Sequence, residues 1–297
     1  MNTMRIFVTG ATGFIGSAVV RELLDAGHHV VGLARSDRSA AALTAAGADV
    51  HHGDLDDLDS LRKGAGLADG VIHLAFKHDF SSFEAAAVAD SLAIEAMGAA
   101  LKGTGKPFVA TSGTLMLKPG ILGTEEQASM QSTPRRSEEA TLVLAGHGVR
   151  SSIVRLAPSV HGKGEQGFVP TLIGIAREKG VSAYVGDGLN RWPAVHQLDA
   201  ARLFRLALEN GDTGAIYHGV ADEGVPFRDI AGAIGRQLNL PVRSITREEA
   251  DAHFGWLSFA ASADNPTSSA LTKERLGWQP VNPALIADLE QGHYFNN

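Results

Sequence analysis

The residues with the clearest chemical potential are the glycines of Val8-Thr9-Gly10-Ala11-Thr12-Gly13-Phe14-Ile15-Gly16. They follow the apolar stretch Ile6-Phe7-Val8, which predicts a buried strand. They open an amphipathic stretch, Ile15 to Leu24, which predicts a helix. A strand, a glycine turn and a helix N-terminus together form a cradle for a diphosphate. Gly10 permits the tight turn, Gly13 lets the backbone approach a phosphate, and Gly16 lets the helix pack close to the strand. The unbonded N–H groups of the first helical turn face the anion, with Thr12, Phe14 and Ile15 beside it. No Lys-Ser or Lys-Thr pair follows the glycines, which argues against a nucleotide-triphosphate loop. The pattern predicts a dinucleotide site; the plain alternative is a tight structural turn.

Further charged residues follow the next predicted strands. The second ends in Gly32-Leu33-Ala34-Arg35-Ser36-Asp37-Arg38. A site preferring NAD places an acid about twenty residues beyond the glycines, to accept from the ribose hydroxyls. Ala34 stands there instead. Arg35 and Arg38 can pair with an extra phosphate and Ser36 can hydrogen-bond to it, so NADP(H) is expected over NAD(H). Asp37 and the net charge of −7 weigh the other way. The fourth predicted strand runs into Lys77-His78-Asp79, three ionisable groups at a strand's carboxyl end; ordinary exposed loop charges are the alternative.

These groups need a scaffold, and the chain supplies one. Short apolar runs at Arg5–Thr9, His29–Leu33, Gly70–Ala75, Pro107–Thr111, Ser152–Leu156 and Ala215–Val220 predict strands, with a weaker one at Ala48–His51. Helices are predicted at Ile15–Ala26, Leu58–Gly66, Phe83–Lys102, Pro134–Ala145 and Val195–Glu209, with Thr133 capping Pro134. The alternation predicts an α/β fold with a doubly wound parallel (Rossmann) sheet. Ser112–Thr133 is a long loop at a strand's carboxyl end, a candidate lid. After Gly162 the alternation is lost, and Phe168–Lys179, Phe227–Leu238 and Arg247–Phe254 read as helices of a smaller substrate-binding part. The expected division is a dinucleotide-binding domain over residues 1–161, with 195–220 returning to it, and a substrate part over 162–194 and 221–297.

Composition narrows the function classes. The 297 residues are 44% hydrophobic and 20% charged, without a cluster of Lys and Arg, so nucleic acid and an anionic membrane are not expected partners. The absence of cysteine excludes disulfides, thiolate catalysis and cysteine-bound metal. No His-x-x-x-His with a Glu base is present among the twelve histidines, and no metal is expected. The chain enters its first strand without a signal peptide or a stretch long enough to span a bilayer, so a cytoplasmic location is expected.

Taken in order, the landmarks Thr9-Gly10-x-x-Gly13-x-x-Gly16, Gly53-Asp54-Leu55, Ile72-His73-Leu74-Ala75, Thr111-Ser112-Gly113-Thr114, Arg155-Leu156-Ala157-Pro158-Ser159-Val160-His161-Gly162, Val195-His196-x-x-Asp199 and Leu276-Gly277-Trp278-x-Pro280 span nearly the whole chain. With them the chain resembles the extended short-chain dehydrogenase/reductase superfamily, in its epimerase/dehydratase-like branch. The resemblance implies a nicotinamide dinucleotide, a seven-stranded Rossmann domain and a C-terminal substrate part. It implies that Asp54 and Leu55 meet the adenine, although a helix cap is the other reading of Asp54. Leu74, Ala75, Lys77 and Thr111 would line the cofactor, and Pro158 and Ser159 would back the nicotinamide. His161 and His196 would adjoin the substrate with His78 and Trp192. The helices Phe83–Lys102 and Pro134–Ala145 match those that pair in dimers of the superfamily, which implies a homodimer.

The chain departs from that superfamily where the chemistry is done. Its Tyr-x-x-x-Lys signature is missing: the region reads Met130-Gln131-Ser132-Thr133-Pro134-Arg135-Arg136-Ser137-Glu138-Glu139. Alignment puts Gln131 at the Tyr position and Arg135 at the Lys position, with a register one residue off as the alternative; the resemblance is then to an atypical subgroup in which basic residues stand in this region in place of the usual pair. Gly113 falls at the usual hydroxyl position, flanked by Ser112 and Thr114. Either hydroxyl is a candidate anchor for a substrate oxygen, and satisfying backbone in a turn is the alternative. The proton would come from water, His161, His78 or a substrate group. The expected activity is an oxidoreductase moving hydride to or from a small organic carbonyl or alcohol. One rival is a sugar-nucleotide epimerase or dehydratase. Such enzymes often carry an Arg before the Val-His segment for the diphosphate, and Trp192 stands there with Arg191 one residue off. The other rival is an NADP-binding redox-sensing regulator without catalysis.

Overall fold

The computed structural model describes residues 3–77, 82–131 and 134–296. Five strand–helix units open the chain: β1 (Arg5–Thr9), α1 (Phe14–Asp25), β2 (His29–Ala34), α2 (Asp37–Ala46), β3 (Asp49–His52), α3 (Leu58–Gly66), β4 (Gly70–His73), α4 (Phe83–Leu101), β5 (Pro107–Gly113) and α5 (Ser137–Gly146). There follow β6 (Arg150–Leu156), β7 (Ser159–His161), α6 (Phe168–Lys179), β8 (Ser182–Val185), β9 (Arg191–His196), α7 (Gln197–Asn210) and β10 (Ile216–Gly219). The chain finishes with β11 (Asp222–Pro226), α8 (Phe227–Leu238), β12 (Val242–Ile245), α9 (Arg247–Phe254), α10 (Ser258–Ser262), α11 (Ala270–Leu276) and α12 (Leu285–Glu290).

Seven parallel strands form the main sheet in the order β10-β6-β5-β4-β1-β2-β3. Residues such as Phe7, Val8, Val71 and Ile72 are wholly buried because helices cover both faces. One face packs on α1 and α7 through Val19, Leu23, Leu203 and Phe204. The other packs on α3, α4 and α5 through Leu61, Ile94, Met97 and Leu144. Strand order reverses between β1 and β4, so the chain diverges there and leaves a crevice at the carboxyl ends. Register puts Thr9 beside His73 and His73 beside Ala110 along that edge.

The smaller part has its own core and two small sheets, β11-β9-β7 and β12-β8. Trp192 is at its centre, with the Phe227 ring 5.1 Å away and Nε1 donating to the Ala260 carbonyl at 2.8 Å. It is wholly buried, so it has no surface to offer a substrate and its expected contact role is replaced by packing. Among the described residues, no helix is long and apolar enough to cross a membrane.

Several boundaries differ from the sequence reading. Val195 and His196 end β9 rather than begin a helix: strand pairing with β7 and β11 claims them, and the His196 ring then accepts from the Leu198 N–H as the cap of α7. The helix after β5 begins at Ser137, not Pro134; Thr133, its expected cap, lies outside the described residues. Helix α2 was not anticipated; Ser36 caps it, and its apolar contact with the sheet is little more than Leu43. The short strands β8, β9, β11 and β12 also lack a sequence signal, because their pairing partners are remote in the chain.

Candidate active site

The glycine turn closes on itself. Gly10 has φ +67°, and a side chain there would meet the Ala75 nitrogen at 2.7 Å. At Gly16 a Cβ would sit 1.9 Å from the Gly10 carbonyl oxygen, so α1 starts directly on the turn. Gly13 differs: its Cβ would meet only that same oxygen, at 3.2 Å. It is the N-cap of α1, with no side chain capping the helix and no acid in the first turn. Unsatisfied N–H groups and the dipole's positive end therefore face out beside exposed Thr12 and half-buried Phe14 and Ile15. Leu74 and Ala75 close the cradle, their N–H groups donating to the Thr9 carbonyl and to Thr9 Oγ1, both at 3.3 Å. An open backbone cradle with these donors fits a diphosphate.

Beyond β2, Arg35 and Arg38 are exposed, and among the described residues neither has an ion-pair partner. Ser36 Oγ accepts from the Ser39 N–H at 3.3 Å, so its side chain is already used as the α2 cap. Asp54 accepts from the Asp56 and Asp57 N–H groups at 2.8 and 3.1 Å, shaping its own turn. Lys77 Nζ pairs with Asp56 at 2.6 Å. Leu55, Lys77, Val88 and Leu92 line an open groove of about 420 Å³ between that turn and α4. His78 lies outside the described residues.

Arg135 lies at the carboxyl edge of β5. Its Nη2 donates to the Thr111 carbonyl at 2.9 Å, its Nε donates to Ser137 Oγ at 2.7 Å, and its guanidinium is 4.3 Å from the Phe76 ring centroid. Thr111 Oγ1 donates in turn to the His73 carbonyl at 2.8 Å. Ser137 donates to Asp90, which also takes a bond from His73 Nε2 at 3.1 Å. Burial pushes the Asp90 carboxyl up, but the bond and charge of His73, the charge of Arg135 and the Ser137 bond outweigh it and hold it below its usual range. Burial draws the Arg135 guanidinium down, against the attraction of Asp90 and Glu138. Gln131 does not join this group: it is exposed, with Arg136 Nη1 3.4 Å from its Oε1. Gln131 and Arg135 both precede α5.

The two candidate hydroxyls face other partners. Thr114 Oγ1 donates to Asn265 Oδ1 at 2.8 Å, and Asn265 returns a bond to the Thr114 carbonyl at 3.0 Å. Ser112 is buried near Glu138, whose carboxyl burial would raise but the bond and charge of Arg155, helped by Ser112 and Ser129, hold below its usual range. Arg155, fully buried, grips Glu138 with two bonds of 2.8 and 2.7 Å and reaches the Gln127 carbonyl at 2.8 Å. The loop after β5 is therefore a strap rather than a free lid. Glu125 also holds Thr272, and Gly120 and Gly123 bond to the Asp264 and Pro266 carbonyls.

Residues 6–102 match the model of the NAD dependent epimerase/dehydratase family. The chain is 55% identical over 98% of its length to an uncharacterized protein of Schizosaccharomyces pombe, all of which it covers. The chain belongs to that family. It is 28% identical over 80% of its length to 2-alkyl-3-oxoalkanoate reductase of Stenotrophomonas maltophilia, covering 77% of that protein. Its fold matches a dTDP-glucose 4,6-dehydratase from Streptomyces venezuelae, solved with NAD and TYD bound, with a TM-score of 0.79 at 19% identity over 98% of this chain and 97% of that one. The family is part of the extended short-chain dehydrogenase/reductase superfamily, and this member is an NAD(P)-dependent enzyme of that type.

Other family landmarks act mainly as ties in this member. Asp199 accepts from the Val281 and Asn282 N–H groups at 3.0 and 2.9 Å, and its carbonyl takes the Trp278 indole. Ser159 is buried and half-buried Pro158 precedes it. His161 is buried against Asp288, Nδ1 to Oδ2 2.9 Å, with the His196 ring 5.4 Å away. Burial and His161 draw His196 down, against Asp288 and Asp199. Sequence reasoning passed over Asp90, Ser137, Glu138 and Glu165. Asp90 carried a signal: it is an acid within the Ala-rich run Glu84 to Leu101, on a face otherwise formed by Ala86, Ala87, Ala93 and Ile94.

Glu165 yields a test of this packing. Its carboxyl is buried, accepts from the Tyr294 hydroxyl at 2.6 Å and is pushed up to about 7, by burial first and by the charge of Asp288. The folded chain therefore holds this proton at pH values where an unfolded glutamate, at 4.5, has lost it. Stability from this group is full below the unfolded value and is lost as pH rises through the folded one. Urea unfolding is expected to weaken by up to about 3 kcal/mol between pH ~5 and ~8, and Glu165→Gln to flatten that slope. Equal slopes for the two proteins would contradict the burial argument.

Proposed function

We propose that this enzyme is an NADP(H)-dependent oxidoreductase acting on a small organic carbonyl or alcohol. The observation that carries this reading is Arg135, a cation held by the Thr111 carbonyl and the Phe76 ring at the crevice edge. A nicotinamide cofactor, when bound in the cradle, supplies hydride chemistry. The chain's own task is then to orient the carbonyl and stabilise the negative charge that develops on its oxygen. A threonine has one O–H to give, and that of Thr114 goes to Asn265. Thr114 thus shapes the site, and the charge-stabilising role in this reading falls to Arg135. The reductase named above supports a carbonyl substrate.

The diphosphate of a sugar nucleotide has less support. Arg191 is held bidentately by Asp264, at 2.9 and 2.8 Å, and Trp192 is core. The engagement of the Thr114 hydroxyl favours a second reading, an NADP-binding sensor that does no chemistry. Screening NADPH consumption over aldehydes, ketones and activated alkenes separates the two: turnover supports the enzyme, and binding without turnover supports the sensor. A homodimer through α4 and α5 fits their exposed Val88, Leu92, Leu142 and Val143. Leu92→Glu with Val143→Glu should sediment as a monomer; a monomeric unmodified protein at micromolar concentration would refute the dimer.

Two further outcomes are expected. Arg35 and Arg38 at the α2 N-terminus should make NADPH bind at least about tenfold more tightly than NADH, roughly 1.4 kcal/mol. Arg35→Asp should reverse that preference, and Gly13→Val should sharply weaken both cofactors in a folded protein, as read by fluorescence titration. Equal dissociation constants in the unmodified protein would refute the phosphate reading. On a verified substrate, Arg135→Ala should cut turnover by about a hundredfold or more. The Ser112→Ala, Thr114→Ala double variant should cost less; the reverse ranking would move the chemistry to the hydroxyls.

A further inference from the structure

A continuous run of hydrogen bonds joins the glycine turn to Arg135. The Ala75 N–H donates to Thr9 Oγ1 at 3.3 Å, and Thr9 Oγ1 lies 2.7 Å from His73 Nδ1. His73 Nε2 meets Asp90 Oδ1 at 3.1 Å, and Ser137 donates to the other oxygen, Oδ2. Arg135 Nε donates to Ser137 Oγ at 2.7 Å and lies 3.8 Å from Asp90 Oδ2. Directions follow from donor counts. A carboxylate only accepts, so His73 gives its Nε2 proton and Ser137 its hydroxyl proton to Asp90, which leaves Ser137 Oγ to receive Arg135. The side chains of His73 and Asp90 are 2% and 1% exposed. Asp90 is thus a buried charge inside the interior of α4, and breaking such a pairing is costly.

We propose that Asp90 is the positioning residue of this site: through Ser137 it fixes the direction of the Arg135 guanidinium, and through His73 and Thr9 it ties that direction to the dinucleotide cradle. This rests on the reading of Arg135 given above, and it adds that the guanidinium is aimed from within the protein rather than by the substrate. Asp90 touches neither cofactor nor substrate. Its removal should therefore spare binding and lower the rate, because a misaimed cation still attracts an anion but no longer meets the developing charge.

The experiment uses the full chain with arginine labelled at 15Nε, and the Arg135 signal is identified by its loss in Arg135→Lys. In the unmodified protein this Nε proton should exchange slowly with water. Ser137→Ala and Asp90→Asn should speed its exchange at least about tenfold, with the backbone amides of the main sheet unchanged, and Ser137→Thr should restore it. NADPH affinity should stay within about twofold. Turnover on the carbonyl identified by the screen should fall at least about tenfold at constant KM. Ser137→Ala leaves the buried charge in place, so it decides the matter if Asp90→Asn does not fold. Unaltered Nε exchange in Ser137→Ala would overturn the proposal, as would faster exchange with unaltered turnover. Failure of the unmodified protein to turn over any carbonyl would instead defeat the oxidoreductase reading, while the exchange result would still decide the positioning.

Discussion

A single close approach governs the architecture: the backbone at Gly16 rests on the carbonyl of Gly10, where even a methyl group would stand 1.9 Å from oxygen. That contact starts α1 immediately after β1, so the helix's unbonded N–H groups converge where strand order reverses. It also presses the turn onto Ala75, which aligns the ends of β1 and β4. Thr9 and His73 become neighbours in register as a result, and the polar groups of the crevice are assembled from that pair outward.

Next to the cradle, the protein holds buried charge in pairs. Asp90 sits with His73, Ser137 and Arg135, and Glu138 sits with Arg155 and Ser112. Both groups flank the first turn of α5, where the superfamily's Tyr-x-x-x-Lys pair would lie. An ionised side chain in the interior costs several kcal/mol unless its hydrogen bonds are complete. Asp90 and Glu138 are accordingly each held by two or more partners. The strap after β5 is drawn toward the same arrangement by Arg155, which donates to the Gln127 carbonyl, while Glu125 ties it to Thr272.

Polar side chains at and near the later landmarks are tied to the protein itself. Trp192, His161 and Asp199 each carry a polar atom. In the folded chain Trp192 packs on Phe227, His161 pairs with Asp288, and Asp199 holds the backbone after Trp278. Their polar atoms satisfy the protein's own interior, as buried polar groups must.

The sequence alone determined the α/β class, the seven runs that pair in the main sheet, and the cradle, because these depend on local periodicity and on glycines only a few residues apart. It singled out Arg135 through the resemblance to the superfamily's Tyr-x-x-x-Lys signature. The tertiary structure decided what Arg135 touches beyond its neighbour Ser137, since Thr111, Asp90 and Phe76 come from three other segments brought together at the carboxyl edge. The same holds for the start of α5, for the small strands β8, β9, β11 and β12, and for the fates of Ser112 and Thr114. Each is settled by a partner distant in the chain, Asn265 for Thr114 being 151 residues away. A hydroxyl or a guanidinium has no preferred partner until packing excludes water from it, and that exclusion is a property of the assembled interior rather than of any local pattern.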